Sequence, residues 1–464
     1  MDILLSHGYF LSLDAAEQRV MRPHPPLGLL YLSSHLKQRG FSVGVFDATF
    51  RSIEDFIDTL KRERPPLVGI AVNLMTKRNA LKMIAIAKRA GARVVIGGPD
   101  PPHHASSYLD AGADVVVIGE GEQTLEDLIA ASAKATASQA LDLSNVNGIV
   151  FKAADGSIVR TPERPLLPDL DRQPYPDRDA IDIPRYLHAW RERHGIGTVS
   201  VITARGCPYT CTWCSRSVFG ETHRRRSITN VADEVEGIVD RYHPERLWYA
   251  DDVFAIHRSW TIQYAAELDR RGIRLPFECI SRAERIDDDV AEALKSLGCF
   301  RVWIGSESGS QRILDAMKRK VQVDQVHEAA DRLRRRGIEV GMFIMLGYDG
   351  ERIEDLQATV DHLKRTSPDI FLTTVSYPIK GTPYYEQVAD RLKPQQWSET
   401  TDRDLIVRGR PVKTYYDFAR RWMTAEVAKD QHLRKGRYAS AARSASSALV
   451  GRLGMAVTAN WRER

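Results

Sequence analysis

Arg205-Gly206-Cys207-Pro208-Tyr209-Thr210-Cys211-Thr212-Trp213-Cys214 places three of the chain's five cysteines within eight residues, in the spacing C-x3-C-x2-C. The run before it, 198–203, is apolar and β-branched and reads as a buried strand. The three thiols therefore sit on a loop at a strand's carboxyl end. Three close thiolates suit three irons of a cubane [4Fe–4S] cluster, with the fourth iron open to a small molecule; ferredoxin clusters take four cysteines. A structural zinc site also wants four ligands, and no fourth Cys or paired His stands nearby. Ordinary free thiols are the remaining reading. Cys279 and Cys299 lie far along the chain, on apolar elements of their own, and read as buried structural residues.

The chain has 464 residues, 43% hydrophobic and 27% charged. That is enough for two or three domains of ordinary globular composition. No apolar run approaches the roughly 20 residues of a membrane span, and the N-terminus enters a strand rather than a signal peptide. Five cysteines, three of them clustered, do not make a disulfide framework, so a reducing cytoplasm is expected. The net charge is +5, but residues 405–464 hold 13 Lys and Arg against four Asp and Glu, so this tail is +9 and the remainder −4. A basic tail suits nucleic acid, an anionic membrane surface or an acidic substrate; the plain alternative is a solvated helical face.

From 1 to 160, strands are expected at 2–6, 42–47, 67–72, 93–97 and 114–118. Helices are expected at 27–39, 53–64, 77–90, 103–111 and 122–133. This alternation predicts a doubly wound α/β domain, whose ligands lie beyond the strands' carboxyl ends. There stand Asn73-Leu74-Met75-Thr76, Gly97-Gly98-Pro99 and Gly119-Glu120-Gly121-Glu122, with glycines that let a ligand approach the backbone. No Gly-x-Gly-x-x-Gly follows the first strand, which argues against a nicotinamide site. A hairpin is expected around Ala154-Asp155-Gly156. A Pro-rich linker is expected over 162–184.

Beyond residue 197 six strand–helix units can be counted, with strands at 198–204, 246–250, 277–281, 301–305, 339–346 and 371–377. Six units predict an open (β/α)6 barrel with its functional residues at the strands' carboxyl ends. Those ends carry Asp251-Asp252, Ser281-Arg282, Gly305-Ser306-Glu307, Leu346-Gly347 and Gly381-Thr382-Pro383. Each carboxylate alone is more often a helix cap than a ligand.

On these residues the chain resembles the radical S-adenosylmethionine (SAM) family. The three-cysteine loop with an aromatic before its last Cys, Asp251-Asp252, Gly305-x-Glu307-Ser308-Gly309, Gly347-x3-Glu351 and Gly381-Thr382-Pro383 match its motifs in order. Lys380 stands where Pro is common. The resemblance implies that Cys207, Cys211 and Cys214 hold the cluster. It makes Trp213, Asp251, Asp252, Ser281, Arg282, Gly305, Glu307 and Leu346 the SAM-binding candidates, with Trp213 packing on the cluster or on adenine. Residues 1–135 resemble the cobalamin-binding domain that precedes many such barrels. The candidates there are Pro26, Leu27, Gly28, Asn73, Leu74, Met75, Thr76, Gly97, Gly98, Pro99, Gly119, Glu120, Gly121 and Glu122. Asp-x-His-x-x-Gly is absent, which implies base-off cobalamin with no protein histidine on cobalt and the 73–76 loop facing its lower side. His103 and His104 are expected at a helix start, exposed or capping. A flavodoxin-like domain without a cofactor is the alternative.

The expected domains are 1–135 for cobalamin, 136–196 for the hairpin and linker, 197–385 for the partial barrel and 386–464 for a basic helical cap. The function implied is reductive SAM cleavage and methylation of an unactivated carbon through methylcobalamin. The alternatives are an oxidative cyclase like the anaerobic magnesium-protoporphyrin IX monomethyl ester cyclase, another radical rearrangement of a natural product, and a non-enzymatic cluster or cobalamin sensor. The expected partners are a small-molecule or lipid-like substrate and a flavodoxin or ferredoxin as electron donor. Peripheral membrane contact through the basic tail is a further expectation. No β-rich RNA-binding module is present, which argues against nucleic acid.

Overall fold

The computed structural model describes residues 1–134 and 142–463; the domain boundary expected at 135/136 lies outside them. The chain divides into two compact units. The first comprises Met1–Pro208, Ser215–Trp248 and Gln396–Thr401; the second comprises Tyr209–Cys214, Tyr249–Gln395 and Asp402–Arg464.

In the first unit, β1 (Ile3–His7), β2 (Val43–Phe46), β3 (Leu67–Ala71), β4 (Arg93–Gly97) and β5 (Val115–Val117) form a parallel sheet in the order β2-β1-β3-β4-β5. Alternate side chains of a strand point to opposite faces, and the two cores separate accordingly. Leu4, Val68, Val94 and Ile96 feed one core; Ile3, Leu5, Leu67 and Val95 feed the other. A parallel sheet buried on both faces is the doubly wound arrangement expected from the alternation.

The hairpin forms around Ala154-Asp155-Gly156 as expected, and it also joins the sheet. β6 (Ile149–Lys152) and β7 (Ile158–Arg160) extend this sheet antiparallel from β5, because Ile149 and Val150 are apolar and bury against it. The stretch expected as linker also ends in a helix, Ile183–His194. Asp182 caps it by accepting from Arg185 N–H, and Gly195 ends it at φ 75°. Five prolines between 162 and 176 masked that start-and-stop signal.

Then come β8 (Thr198–Val201), a short antiparallel pair β9 (Ala204–Arg205) and β10 (Arg224–Arg225), and β11 (Arg246–Tyr249), a sheet neighbour of β8. The strand expected over 198–204 thus breaks after Val201. Behind it Glu234 is buried between two arginines, Arg178 at 2.7 Å and Arg226. Burial alone would raise its carboxyl; Arg178 and Arg226 outweigh that and hold it below the usual glutamate range.

In the second unit β12 (Phe277–Ser281), β13 (Cys299–Glu307), β14 (Glu339–Leu346) and β15 (Ile370–Val375) pair in parallel in that order. With β8 and β11 they supply the six strand–helix repeats counted in the sequence. The C-terminal region is helical, ending in Lys413–Arg434 and Tyr438–Thr458, which pack on each other. Gly451 makes the close approach possible: a Cβ there would lie 2.6 Å from the Trp422 backbone nitrogen.

Replacing Glu234 with Gln removes the counter-charge of two buried guanidinium groups, and loss of one partner of such a pair costs about 3–5 kcal/mol. A depressed carboxyl stabilises above its ordinary pKa and stops doing so as pH falls through its folded value. The E234Q deficit in urea unfolding should therefore be full at pH 7 and shrink under acid conditions.

Candidate functional site

In the first unit a cavity of about 640 Å3 opens at the carboxyl ends of β1, β3, β4 and β5. Cofactor sites occupy this size range and this place in α/β sheets. Its walls are mostly aliphatic, and glycines form much of its lining. Gly98 sits at φ 105°, where a Cβ would come 2.5 Å from the Val72 carbonyl oxygen. Pro26, Leu27, Gly28, Asn73, Thr76, Gly97, Gly98, Pro99, Gly119, Glu120, Gly121 and Glu122 line the cavity; Leu74 and Met75 do not. Asn73 closes its own turn, accepting from Met75 N–H at 2.9 Å and Thr76 N–H at 3.0 Å, and this turn leaves Met75 54% exposed.

The acidic motif at the cavity's edge is held by arginines. Arg205 Nη1 donates to Glu120 Oε1 at 2.7 Å, and its Nη2 lies 2.7 Å from Glu122 Oε1. Arg224 donates to Glu120 Oε2 at 2.8 Å and to the Leu167 carbonyl at 2.7 Å. Leu167 N–H donates to Glu120 Oε2 at 2.7 Å. Both carboxylates are thus engaged by protein groups, and Arg205 also stacks over Tyr31 at 5.1 Å. Gly206 follows at φ 86°, with no room for a Cβ beside the Thr222 carbonyl. The motif's position was readable from strand-end glycines, but its arginine partners lie about 85 and 104 residues away in sequence and gave no local signal.

Two histidines line the cavity, His7 and His24. His7 Nε2 meets Asp47 Oδ1 at 3.0 Å, and its Nδ1 accepts from Tyr9 N–H. His24 Nδ1 lies 2.9 Å from Ser200 Oγ; burial, then Arg22, pushes its imidazole down to about 4, so it is neutral. His104 is not exposed as expected. It is buried and packs against Trp397, which Tyr108 meets edge-on.

In the second unit the strand ends come together by register: Ser281 beside Ile304, Glu307 beside Ile344, Leu346 beside Val375. The pairing of β13 with β14 slips between Gly305 and Glu307, and Glu307 takes φ 63°, rare for a residue with a side chain. Such strain persists where surrounding contacts hold it. Arg319, which the sequence reading missed, is one of those contacts, donating to the Gly305 carbonyl at 2.6 and 3.2 Å. A Cβ on Gly305 would lie 2.8 Å from Glu307 Oε1 and 2.9 Å from Arg319 Nη2, so both side-chain ends would have to shift. Burial pushes the Glu307 carboxyl up to about 8, with Arg282 pulling the other way.

Arg282 is the hub of this edge. It pairs with Glu284, donates to the Arg319 carbonyl, reaches Cys211 Sγ at 3.7 Å and lies 3.6 Å over the Tyr209 ring. Burial pushes the Cys211 thiol up, and Arg282 draws it back toward the thiolate that a metal needs. Cys214 is exposed; its N–H turns back onto the Cys211 carbonyl. Cys207 is half-buried. Among the described residues no three His, Cys, Asp or Glu side chains already form a metal cage. Trp213 is partly buried and packs against the hydrophobic cluster that contains Met345, Tyr348 and Tyr384. Asp251 is buried, and Asp252 is raised by burial and by Asp251 beside it. The Ser281 hydroxyl is buried without a hydrogen-bond partner. Cys279 and Cys299 are both buried.

These two sets of residues fit the groups that the motifs imply. The glycine-lined apolar cavity can take a flat macrocycle. Three loop thiols, paired aspartates, an unpartnered hydroxyl and a carboxyl near neutrality offer donors and acceptors for a cluster and for the ammonium, carboxylate and ribose of SAM.

Residues 201–363 match the radical SAM superfamily and residues 19–129 match the B12 binding domain. The chain is 28% identical over 394 residues to an uncharacterised methyltransferase of Pyrococcus horikoshii, covering 83% of each. It is 27% identical over 382 residues to the anaerobic magnesium-protoporphyrin IX monomethyl ester cyclase of Rubrivivax gelatinosus, covering 80% of this chain and 67% of that one. Its fold resembles that of the radical SAM methyltransferase TsrM of Kitasatospora setae, solved with cobalamin and a [4Fe–4S] cluster bound. The TM-score is 0.71 at 22% identity, over 84% of this chain and 77% of that one.

Replacing Gly98 with Ala should cost about 1–3 kcal/mol of stability through the strained φ and the displaced Val72 carbonyl, and should weaken cobalamin uptake in equilibrium dialysis. Glu307 carries a raised carboxyl, so its stabilising effect is full below its ordinary pKa and is lost as pH rises through about 8. In the cluster-free protein, the urea midpoint of wild type should therefore fall relative to that of E307Q between about pH 5 and pH 8; parallel profiles would refute the assignment.

Proposed function

Because the chain joins a B12-binding domain to a radical SAM domain, we propose that it is a cobalamin-dependent methyltransferase acting on an unactivated carbon. The observation that carries the reading is the coexistence of a glycine-lined cavity at the ends of one parallel sheet with a three-cysteine loop and a strand-end set of carboxylates. When bound, the cluster with SAM supplies a 5′-deoxyadenosyl radical, and cobalamin supplies a transferable methyl group.

Cys207, Cys211 and Cys214 would hold the cluster. Asp251, Asp252, Ser281, Arg282 and Glu307 would contact SAM. Arg282 keeps a positive charge beside Cys211. Glu307 holds a proton near neutral pH and can give it up when a cation arrives, which suits an ammonium group. The apolar lining of the cavity would keep water from a corrinoid bound there. Cobalamin would bind without histidine on cobalt, a reading supported by the absence of Asp-x-His-x-x-Gly; of the two cavity histidines, His7 has both ring nitrogens engaged and His24 meets Ser200 through Nδ1. The substrate would be a small or lipid-like molecule and the electron donor a flavodoxin or ferredoxin, in a reducing compartment that preserves the thiols. A second reading, oxidative ring closure on a tetrapyrrole-like substrate, is supported by the match to the R. gelatinosus cyclase.

The test is anaerobic reconstitution with iron, sulfide and cobalamin, then reduction in the presence of SAM carrying a labelled methyl group. Methyltransfer predicts 5′-deoxyadenosine together with label moving into the corrinoid fraction and then into product. Deoxyadenosine without methyl label in any product would favour cyclisation, and no SAM cleavage would sink both readings. The C211A variant should lose the cluster's visible absorbance and reduce deoxyadenosine formation to background.

A further inference from the structure

The last helix carries a surface that the cofactor sites do not use. Tyr438–Thr458 buries Ala441, Ala448, Gly451, Met455 and Thr458. At 3.6 residues per turn, Leu449, Leu453 and Val457 fall on the opposite side, one turn apart. They are exposed by 60%, 57% and 67%. Val450 flanks them, and exposed Tyr438 and Trp461 stand at the two ends of the ridge. A single exposed leucine needs no explanation, but a row of them over two turns does.

Charge gives a second, independent observation. Residues 431–462 contain six Lys and Arg and no Asp or Glu. Arg443 and Arg452 flank the ridge, Lys435 and Arg437 precede it and Arg462 follows it, all exposed.

We propose that this ridge docks on an anionic phospholipid surface, with the helix lying in the plane of the headgroups. The apolar row would enter the acyl boundary and the arginines would stay at phosphate level. Tyr438 and Trp461 have the amphipathic rings that favour that depth. A second copy of the chain would bring like charge against like charge, which disfavours self-association through this face. No helix among the described residues is long and apolar enough to cross a membrane, so the contact is one of lying on the surface.

The experiment is vesicle co-sedimentation of the full chain, with phosphatidylcholine alone and with about 30% phosphatidylglycerol added. The protein should pellet with the anionic vesicles only, and less as salt rises. L449E/L453E should abolish pelleting. K435E/R443E, which leaves the ridge and the Arg452–Trp422 stack intact, should reduce partitioning by about tenfold or more. All four positions are exposed, so unchanged circular dichroism and melting temperature should accompany both losses. Three outcomes would overturn the proposal: wild type staying in the supernatant with both vesicles, equal binding to both, or a dimer in analytical ultracentrifugation that L449E/L453E dissociates.

Discussion

Arg205 is buried with Glu120 and Glu122, and much of the first unit depends on that one guanidinium. Two carboxylates placed side by side beyond β5 would repel each other and seek water. Removing ions from water costs several kcal/mol each, and only close opposite charge with full hydrogen bonding offsets it. Arg205 and Arg224 supply both. The arginine fork therefore fixes two things together: the end of β5, which borders the cavity, and the residue two places before the first loop cysteine. A lysine would hold the charge but not both carboxylates in one plane.

The second unit uses charge differently. Arg282 makes four contacts of different kinds at one strand end, and the Glu307 carboxyl is kept close to neutral by burial instead of being fully paired. One unit spends its charges on internal rigidity. The other retains a titratable group and an unpartnered hydroxyl at the edge where its motifs converge.

Much of this was legible in the sequence because the signals were local. Alternating apolar runs and helical patterns located the strands of the first sheet to within a residue or two, and strand-end glycines marked the cavity lining. What escaped was non-local or conformational. The partners of Glu120 and Glu122 come from distant segments. The slip in pairing that turns Glu307 into left-handed backbone depends on the neighbouring strand. Arg319 reads as an ordinary basic residue until its guanidinium is seen against the Gly305 carbonyl. The packing of Trp213 against the cluster of Met345, Tyr348 and Tyr384 is likewise non-local, since those residues lie far along the chain.

The pair Gly305 and Glu307 sets an asymmetric limit on how the chain can vary. Glycine would relax the backbone at 307 but delete the carboxyl; a Cβ at 305 would force the ends of Glu307 and Arg319 to shift. Neither position can drift toward the other's residue without loss, so this strand end resists gradual substitution. A change at either position is therefore felt at the other and at Arg319.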